Sequence, residues 1–535
     1  MHATTSTPRP PEPLPAALRI PAWPAAALLA LLAGVLGWRG VDYPAQVFRV
    51  EMYVRNGFSL WDTQWYSGHH LPGYSILFPP LGAVFGPVVV GAACAVASAY
   101  FFDRVVRHHF GPPAFVGSLW FAVGTVTNLA VGRITYLLGI TIGLAAVWAL
   151  VRGRRTVAVV LGVLCPLASP VAGVFLALAG GAWWLTGVRS RSTRRSRLWG
   201  LGVAAVAVAP TLVLAALFPE GGWFPFRGVT LVFVLGVCAF MFWAVPAEHA
   251  TLRAGVVLYA MACTAAFVLT TPLGGNITRL GMDFAGPLLA CAMWPRRKLL
   301  LAAVAVPLLI WQWAPATGAI LHGRDDPSAR PGYYQPLLDF LHTRASGPVR
   351  IEIPFTAGHW EAAYVAPDFA LARGWERQLD ISYNGLFYDE DAFTAEAYHE
   401  WLIENGVSYV ALPDLPLDES SEAEARLLRG GADFLEPVFE SRHWRVWEVR
   451  GSGGLVDGPA RLVELDGDRI VLDVQRAEPL LVRTRFTPHW TVDDGACVTE
   501  APGGWTRVDP FGTGRIVVRA ELGSTAGDPR CPVDG

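Results

Sequence analysis

GVDYPAQVFRVEMYVRNGFSLWDTQWYSGHHLPGYSILFPP, residues 40–80, lies between the first two apolar runs of this 535-residue chain and is too polar to cross a bilayer. Asp42 directly follows the first run, so its carboxylate is expected at the membrane surface, where acids are candidates for function. A helix-flanking charge that reaches for water is an equally good interpretation of a lone Asp. Function is favoured by the other polar residues of this loop, which are Gln46, Arg49, Glu51, Asp62, His69 and His70.

The composition excludes a purely soluble protein, because 53% of the residues are hydrophobic, the mean hydropathy is +0.37 and many apolar runs have membrane-spanning length. We therefore expect a polytopic α-helical membrane protein. Eleven spans are predicted, at residues 23–39, 81–102, 113–131, 134–151, 156–169, 170–187, 198–218, 228–245, 254–271, 282–294 and 299–315.

The distribution of arginine predicts the orientation of these spans. Clusters such as Arg152, Arg154 and Arg155 fall in alternate connections, whereas the other connections hold only single arginines. By the positive-inside rule the clusters face the cytoplasm. The N-terminus is then cytoplasmic, and the chain after about residue 316 is extracellular.

Four regions are predicted along the chain. Residues 1–20 are Pro-rich and are expected to form a disordered cytoplasmic tail, and residues 21–316 form the transmembrane domain. Over residues 317–450 helical and strand patterns alternate, which indicates an exterior α/β domain. Over residues 455–535 apolar residues recur with a period of two between tight turns, which is typical of a β-sandwich.

Two local signals sharpen this prediction for the exterior part. TAEAYHEWLIENG, residues 394–406, predicts a helix capped by Thr394, and VSYVALP, residues 407–413, predicts a buried strand. Cys497 and Cys531 are the two cysteines beyond the spans. In an oxidising compartment they could pair, or the chain end could leave them free.

Polar residues at the span ends share the predicted side of Asp42, namely Asn128, Arg133, Thr135, Tyr136, Ser169, Glu220, Asn276, Thr278, Arg279 and Asp283. A reaction site is therefore expected at the outer leaflet, where ATP and nucleotide sugars are absent. A donor for synthesis there must already be activated and carried by lipid, as a polyprenyl-phosphate sugar is.

Arginine matches phosphate oxygens bidentately, so Arg49, Arg133 and Arg279 are candidates to bind the leaving phosphate. Asp42 suits the role of general base toward an acceptor hydroxyl. The full set of substrate-binding candidates is Arg49, Glu51, His69, His70, Arg133, Tyr136, Asn276 and Arg279.

The order of a first span, an acid just after it, a long aromatic loop ending in HHLPGYSILFPPL, further spans and an exterior C-terminal part resembles the GT-C class of membrane glycosyltransferases. The loop is also similar to that of YfhO-like and 6-pyruvoyl-tetrahydropterin-synthase-related bacterial integral membrane proteins. The resemblance implies a bacterial plasma membrane location, a lipid-phosphate sugar donor and a catalytic acid at Asp42. The paired acids common in the class are missing, since Tyr43 and Pro44 follow Asp42, which leaves metal dependence open.

Three further signals allow two interpretations each. His69 and His70 could hold a divalent metal with Asp42 or Glu51, but the absence of a fixed ligand spacing favours histidines that bond to backbone or water. Arg279 and Asp283 are four apart and could simply pair with each other. Aromatic residues of the loop could stack on a sugar or lie in the head-group belt, and these are Trp61, Trp65 and Tyr66.

The leading hypothesis is a glycosyltransferase that moves a sugar from a polyprenyl phosphate to an envelope glycan, lipid or protein, with membrane lipids as its surroundings and no nucleic-acid partner. The alternatives are a transporter or lipid flippase, and a non-catalytic envelope assembly protein. Against a carrier, polar residues cluster at one surface and not at the midplane, and no two-fold repeat is visible.

Overall fold

We analysed a computed structural model of the chain, which describes residues 20–186, 194–323, 326–492, 495–522 and 531. The predicted tail at residues 1–20 lies outside the described residues, apart from Ile20. The described chain forms a helical bundle, a mixed α/β domain and a β-sandwich.

Thirteen helices build the first part of the described chain. They are α1 (Trp23–Val35), α2 (Tyr43–Asn56), α3 (Phe78–Phe85), α4 (Pro87–Phe110), α5 (Phe115–Val131), α6 (Ile134–Val151), α7 (Arg155–Ala168), α8 (Pro170–Thr186), α9 (Arg194–Leu217), α10 (Gly228–Ala244), α11 (Ala250–Val268), α12 (Thr278–Met293) and α13 (Lys298–Gly323). All except α2 and α3 correspond in position to a predicted span.

The prediction of eleven full spans is wrong in number. Within the described ranges, six helices are long and apolar enough to cross a membrane, namely α4, α5 with the turn before it, α6, α9 from Arg197, α11 and α13. Four more, α1, α7, α8 and α10, are apolar but shorter. The predicted spans were counted from apolar residues alone, which do not show where a helix ends. Helix α1, for example, ends at Val35 because Gly37 has a φ of 65°, although the apolar run continues. The helices are compatible with a multi-pass membrane protein.

Residues 40–80 are more ordered than the predicted loop. Helix α2 begins at Tyr43, with Pro44 in its first turn, where a missing N–H costs nothing. A two-residue hairpin follows, in which β1 (Trp61–Asp62) pairs with β2 (His69–His70). Residues 63–68 connect the two strands, and in this connection Tyr66, Ser67 and Gly68 all have positive φ.

The α/β domain contains a five-stranded sheet of order β4-β3-β5-β7-β6, in which β3 is parallel to β4 and β5, and β7 is antiparallel to β5 and β6. Its strands are β3 (Arg350–Glu352), β4 (Ala370–Leu371), β5 (Val407–Pro413), β6 (Leu435–Glu440) and β7 (Trp444–Val449). Its helices are α14 (Pro331–Arg344), α15 (Glu361–Tyr364), α16 (Arg377–Tyr383), α17 (Ala395–Glu404) and α18 (Glu422–Gly430). The predicted Thr394 cap is confirmed, because its hydroxyl accepts a hydrogen bond from the Ala397 N–H at 3.2 Å.

The last part of the chain is β-rich, with two four-stranded sheets of order β12-β15-β10-β9 and β13-β14-β11-β8. The strands are β8 (Val456–Asp457), β9 (Ala460–Asp466), β10 (Arg469–Val474), β11 (Leu480–Arg485), β12 (Trp490–Val492), β13 (Ala496–Ala501), β14 (Trp505–Pro510) and β15 (Gly514–Ala520). Alternate apolar residues of both sheets form one core, as the period-two pattern requires. A disulfide joins Cys497 and Cys531.

The α/β domain covers one end of the helical bundle. Its core is continuous with helix α2, since Tyr43 contacts Trp360 with ring centroids 6.0 Å apart. The arginine clusters lie at the opposite end of the bundle, where Arg104 and Arg152 pack over Trp148 and Arg253 packs over Phe242.

Candidate functional site

Asp42 and Arg133 lie close together at the covered end of the bundle because hydrogen bonds hold the start of α2 against the α5–α6 turn. The Gly40 and Asp42 N–H groups donate to the carbonyls of Ala130 and Val131 at 2.9 and 3.0 Å, which lays the start of α2 across the α5–α6 turn. Gly132 forms that turn with a φ of 93°, and a Cβ there would lie 2.4 Å from the Tyr43 nitrogen. The result is an Arg133 Nε to Asp42 Oδ2 distance of 3.4 Å, with 19% and 15% of the two side chains exposed.

Arg279, at the start of α12, completes what we call the charged cluster: Asp42, Arg133 and Arg279. Its charge interacts with those of Asp42 and Arg133, and its guanidinium carbon lies 5.5 Å from the ring centroid of Tyr136. The Arg279 side chain is half-buried and makes no hydrogen bond or ion pair with any described residue. It is therefore a cation with unused donors in a largely enclosed place.

Asp283 does not pair with Arg279, although the two are four residues apart. Its carboxylate accepts hydrogen bonds from Tyr136 Oη at 2.9 Å and from Asn128 Nδ2 at 3.2 Å. Asp42 and Asp283 balance the two arginines in formal charge. Asp283 already accepts hydrogen bonds from these two neutral donors, so the unused donors of the cluster belong to Arg279 and to Arg133, whose buried Nε has no hydrogen-bond partner.

Tyr74 links the charged cluster to helix α2. Its hydroxyl accepts from Gln46 Nε2 at 3.0 Å, and the Arg49 guanidinium carbon lies 3.8 Å from its ring centroid. Burial raises the pKa of Tyr74. The positive charge of Arg49 lowers this pKa, and the negative charge of Asp42 raises it. Tyr74 therefore stays a neutral hydrogen-bonding group beside Asp42.

A segment of the α/β domain, residues 373–376, lies over this place, and we call it the roof segment. The indole N–H of Trp375 donates to the Val41 carbonyl at 2.6 Å, directly before Asp42, and its ring meets that of Tyr74 edge-on at 6.2 Å. Glu376 forms a buried ion pair with Arg49. Burial raises the pKa of Glu376, and Arg49 opposes that shift.

Besides Arg49, which pairs with Glu376, and Tyr136, which bonds Asp283, four more of the predicted substrate-binding residues lie outside the charged cluster. Glu51 pairs with Arg55 at 2.7 Å on the exposed face of α2. His70 bonds Glu220 through Nδ1 at 2.8 Å and Thr487 through Nε2 at 3.1 Å, so it connects the bundle to the sandwich. Asn276 lies in a short 3-10 helix ahead of Arg279.

His69, the fourth, is fully buried 3.6 Å from Asp62. Burial lowers the pKa of His69 well below its usual value and raises the pKa of Asp62 to about 8, so at neutral pH this contact joins two uncharged groups. Among the described residues no three His, Cys, Asp or Glu side chains are placed to hold a metal ion.

The loop aromatics predicted as possible sugar platforms are enclosed. Trp61, Trp65 and Tyr66 are each at most 2% exposed. Trp65 stacks on Phe48 with ring centroids 4.2 Å apart, which is core packing between the hairpin and α2. Trp375, which is half-buried and bonds the Val41 carbonyl next to Asp42, is an aromatic residue that the sequence analysis missed. No local pattern could have found it, because 334 residues separate it from its partner Val41.

An apolar cavity of about 610 Å³ lies inside the bundle, and helices α6 and α12, which also carry residues around the charged cluster, line part of it. Ile140 lines it one turn below Tyr136, Gly281 lines it next to Arg279, and Phe175 lines it while its ring meets that of Tyr136 at 6.1 Å. The lining continues toward the arginine-rich end, as far as Glu248 on the α11 side. Along α8 it runs from residue 172 to 186, which is roughly 20 Å of helix.

The covered end of the bundle thus combines a carboxylate and two arginines, and helix α12, which begins with Arg279 in its first turn, also lines the apolar cavity. Comparison with protein-family models gives no match, and comparison with curated proteins gives none either.

Proposed function

We propose that the protein is a membrane glycosyltransferase of the GT-C type that moves a sugar from a polyprenyl-phosphate donor to an envelope acceptor. The observation that carries this proposal is the free guanidinium of Arg279, which lies next to Asp42 and Arg133 and two residues before Gly281, a residue that lines an apolar cavity. A lipid phosphate needs both parts: donors for its oxygens and an apolar space for its chain.

In the proposed reaction, Arg133 and Arg279 bind the phosphate and the polyprenyl chain enters the cavity. Asp42 accepts the proton of an acceptor hydroxyl, whose oxygen attacks the anomeric carbon of the donor sugar. The bond between that carbon and the phosphate oxygen breaks, and the electron pair leaves with the polyprenyl phosphate. The arginines then stabilise more negative charge on the leaving phosphate than they did before transfer.

Substituting Asp42 tests the role of the base. We expect Asp42→Asn to fold, to bind polyprenyl phosphate as the unchanged protein does, and to lose at least about 100-fold in transfer from short-chain polyprenyl-phosphate hexoses in proteoliposomes. Asp368→Asn, an exposed acid of the α/β domain with a side chain 39% exposed, is the control and should transfer normally. Normal transfer by Asp42→Asn would remove Asp42 as the base.

One observation favours a second candidate, a lipid carrier: the cavity continues toward the arginine-rich end of the bundle as far as Glu248 and His249. A carrier should move a fluorescent polyprenyl phosphate between the leaflets of a liposome, and Asp42→Asn should leave that rate unchanged. A transferase should show transfer that depends on Asp42, with no such movement.

A further inference from the structure

The roof segment, residues 373–376, is fixed at each of its four positions. Arg373 is buried and bonds the Asp380 carboxylate, with Nη2 to Oδ2 at 2.6 Å. Gly374 packs so closely on Trp65 that a Cβ would lie 2.7 Å from it. Trp375 bonds Val41, and Glu376 pairs with Arg49.

The backbone around Trp375 is held as firmly as its side chain. The Tyr66 hydroxyl donates to the Glu376 carbonyl at 3.0 Å, which ties the roof segment to the hairpin turn of residues 61–70. A partly accessible indole is thereby held in one orientation over the start of α2. Ordering such a ring in advance removes an entropy cost from any ligand that packs on it.

We infer that Trp375 provides the face on which the acceptor stacks, and that the acceptor is therefore a saccharide with a pyranose ring. This inference rests on the proposed function. Trp375 donates to the Val41 carbonyl, directly before Asp42, so a sugar ring packed on the indole would lie near that carboxylate. The C–H face of a pyranose is apolar and packs on an aromatic ring, while its hydroxyls reach the polar residues around it.

The same placement assigns the donor and the acceptor to different sides of Asp42. The donor phosphate is assigned to Arg279, at the start of helix α12, and the acceptor is assigned to Trp375, in the α/β domain. An acyclic lipid alcohol lacks the flat C–H face with surrounding hydroxyls that a pyranose offers to an aromatic ring and its polar neighbours.

The structural alternative is that Trp375 only fastens the two domains through its hydrogen bond. Two variants separate these roles. Trp375→Phe keeps an aromatic face and loses the N–H donor, whereas Trp375→Gln keeps an N–H donor and loses the face. Trp184, which is 38% exposed near the arginine-rich end of the bundle, provides the control Trp184→Gln.

The test is saturation-transfer NMR on the purified full chain in nanodiscs, with methyl α-mannopyranoside and methyl β-glucopyranoside as probes and acyclic mannitol as the comparison. We expect binding of at least one pyranoside, through its C–H face, and no binding of mannitol. The dissociation constant should rise about tenfold in Trp375→Gln and by less than about threefold in Trp375→Phe and Trp184→Gln.

Absence of pyranoside binding, or a larger loss in Trp375→Phe than in Trp375→Gln, would overturn the inference. Because these measurements need no transfer, they are separate from the test of the base. Asp42→Asn should still bind the pyranoside. Loss of transfer in that variant together with normal binding in Trp375→Gln would leave the proposed function standing and remove only the acceptor site.

Discussion

Arg279 shows how neighbours decide what a single charged residue can do. Its sequence spacing to Asp283 allows an ordinary ion pair within one helix. Tyr136 and Asn128 instead donate hydrogen bonds to the Asp283 carboxylate. The Arg279 guanidinium is left without a hydrogen bond among the described residues. Two arginines placed this close repel each other, so a bound dianion would relieve an unfavourable interaction as well as form new bonds.

We expect Arg279→Gln to weaken the binding of polyprenyl phosphate by about 10- to 100-fold, because hydrogen bonds to charged groups each contribute about 1.5–3 kcal/mol. Polyprenyl phosphate is the right probe because all donors of this class release it, whatever their sugar. The measurement is a dissociation constant in nanodiscs. Arg253→Gln, at the arginine-rich end, should bind as the unchanged protein does, and equal binding by Arg279→Gln would exclude a phosphate site there.

The α5–α6 turn is the element that brings Asp42 and Arg133 together. Glycine is needed at position 132 for two reasons. Its φ is 93°, and a Cβ there would overlap the Tyr43 backbone. Gly153, in the turn after α6, has a φ of 71° with nothing within 4 Å of a Cβ. The two glycines therefore separate backbone strain from close approach.

Gly153→Ala should cost about 1 kcal/mol of stability through its φ alone and leave transfer unchanged. Gly132→Ala should cost at least about twice that and also lower transfer, since the start of α2 must move away from Arg133. Thermal unfolding and transfer assays on both variants measure the difference. Equal effects in the two variants would mean that the close approach at Gly132 does not position Asp42.

The elements that follow from local pattern were predictable, and those that depend on distant contacts were not. The strand at residues 407–413, the Thr394 cap and the period-two strands of the sandwich are each encoded by residues within one segment. Helix α2 was missed because its one apolar face packs on Trp360 and its neighbours, which no window of sequence contains. Asp42, Arg133 and Arg279 were predicted because they lie at the ends of spans on the same predicted side of the membrane. Trp375 and Glu376 were not predicted, because they belong to a domain more than 300 residues away from Asp42.

At the scale of the whole molecule, the charged cluster and the C-terminal domains occupy one end of the bundle and the arginine clusters the other. The positive-inside rule predicts that the cluster and the α/β domain lie on the extracellular side. This orientation matters to the mechanism, because only on that side does a lipid-linked donor replace a nucleotide sugar.

Thiol labelling tests this orientation with little background, since the five free cysteines are buried and Cys497 is bonded to Cys531. Glu390→Cys adds an exposed thiol on the α/β domain, and Thr156→Cys adds one near the arginine-rich end. We expect a membrane-impermeant maleimide to label Glu390→Cys in intact cells and Thr156→Cys only after permeabilisation. The opposite pattern would place Asp42 and Arg279 on the cytoplasmic side. Nucleotide sugars are available there, so the orientation would no longer favour a lipid-linked donor.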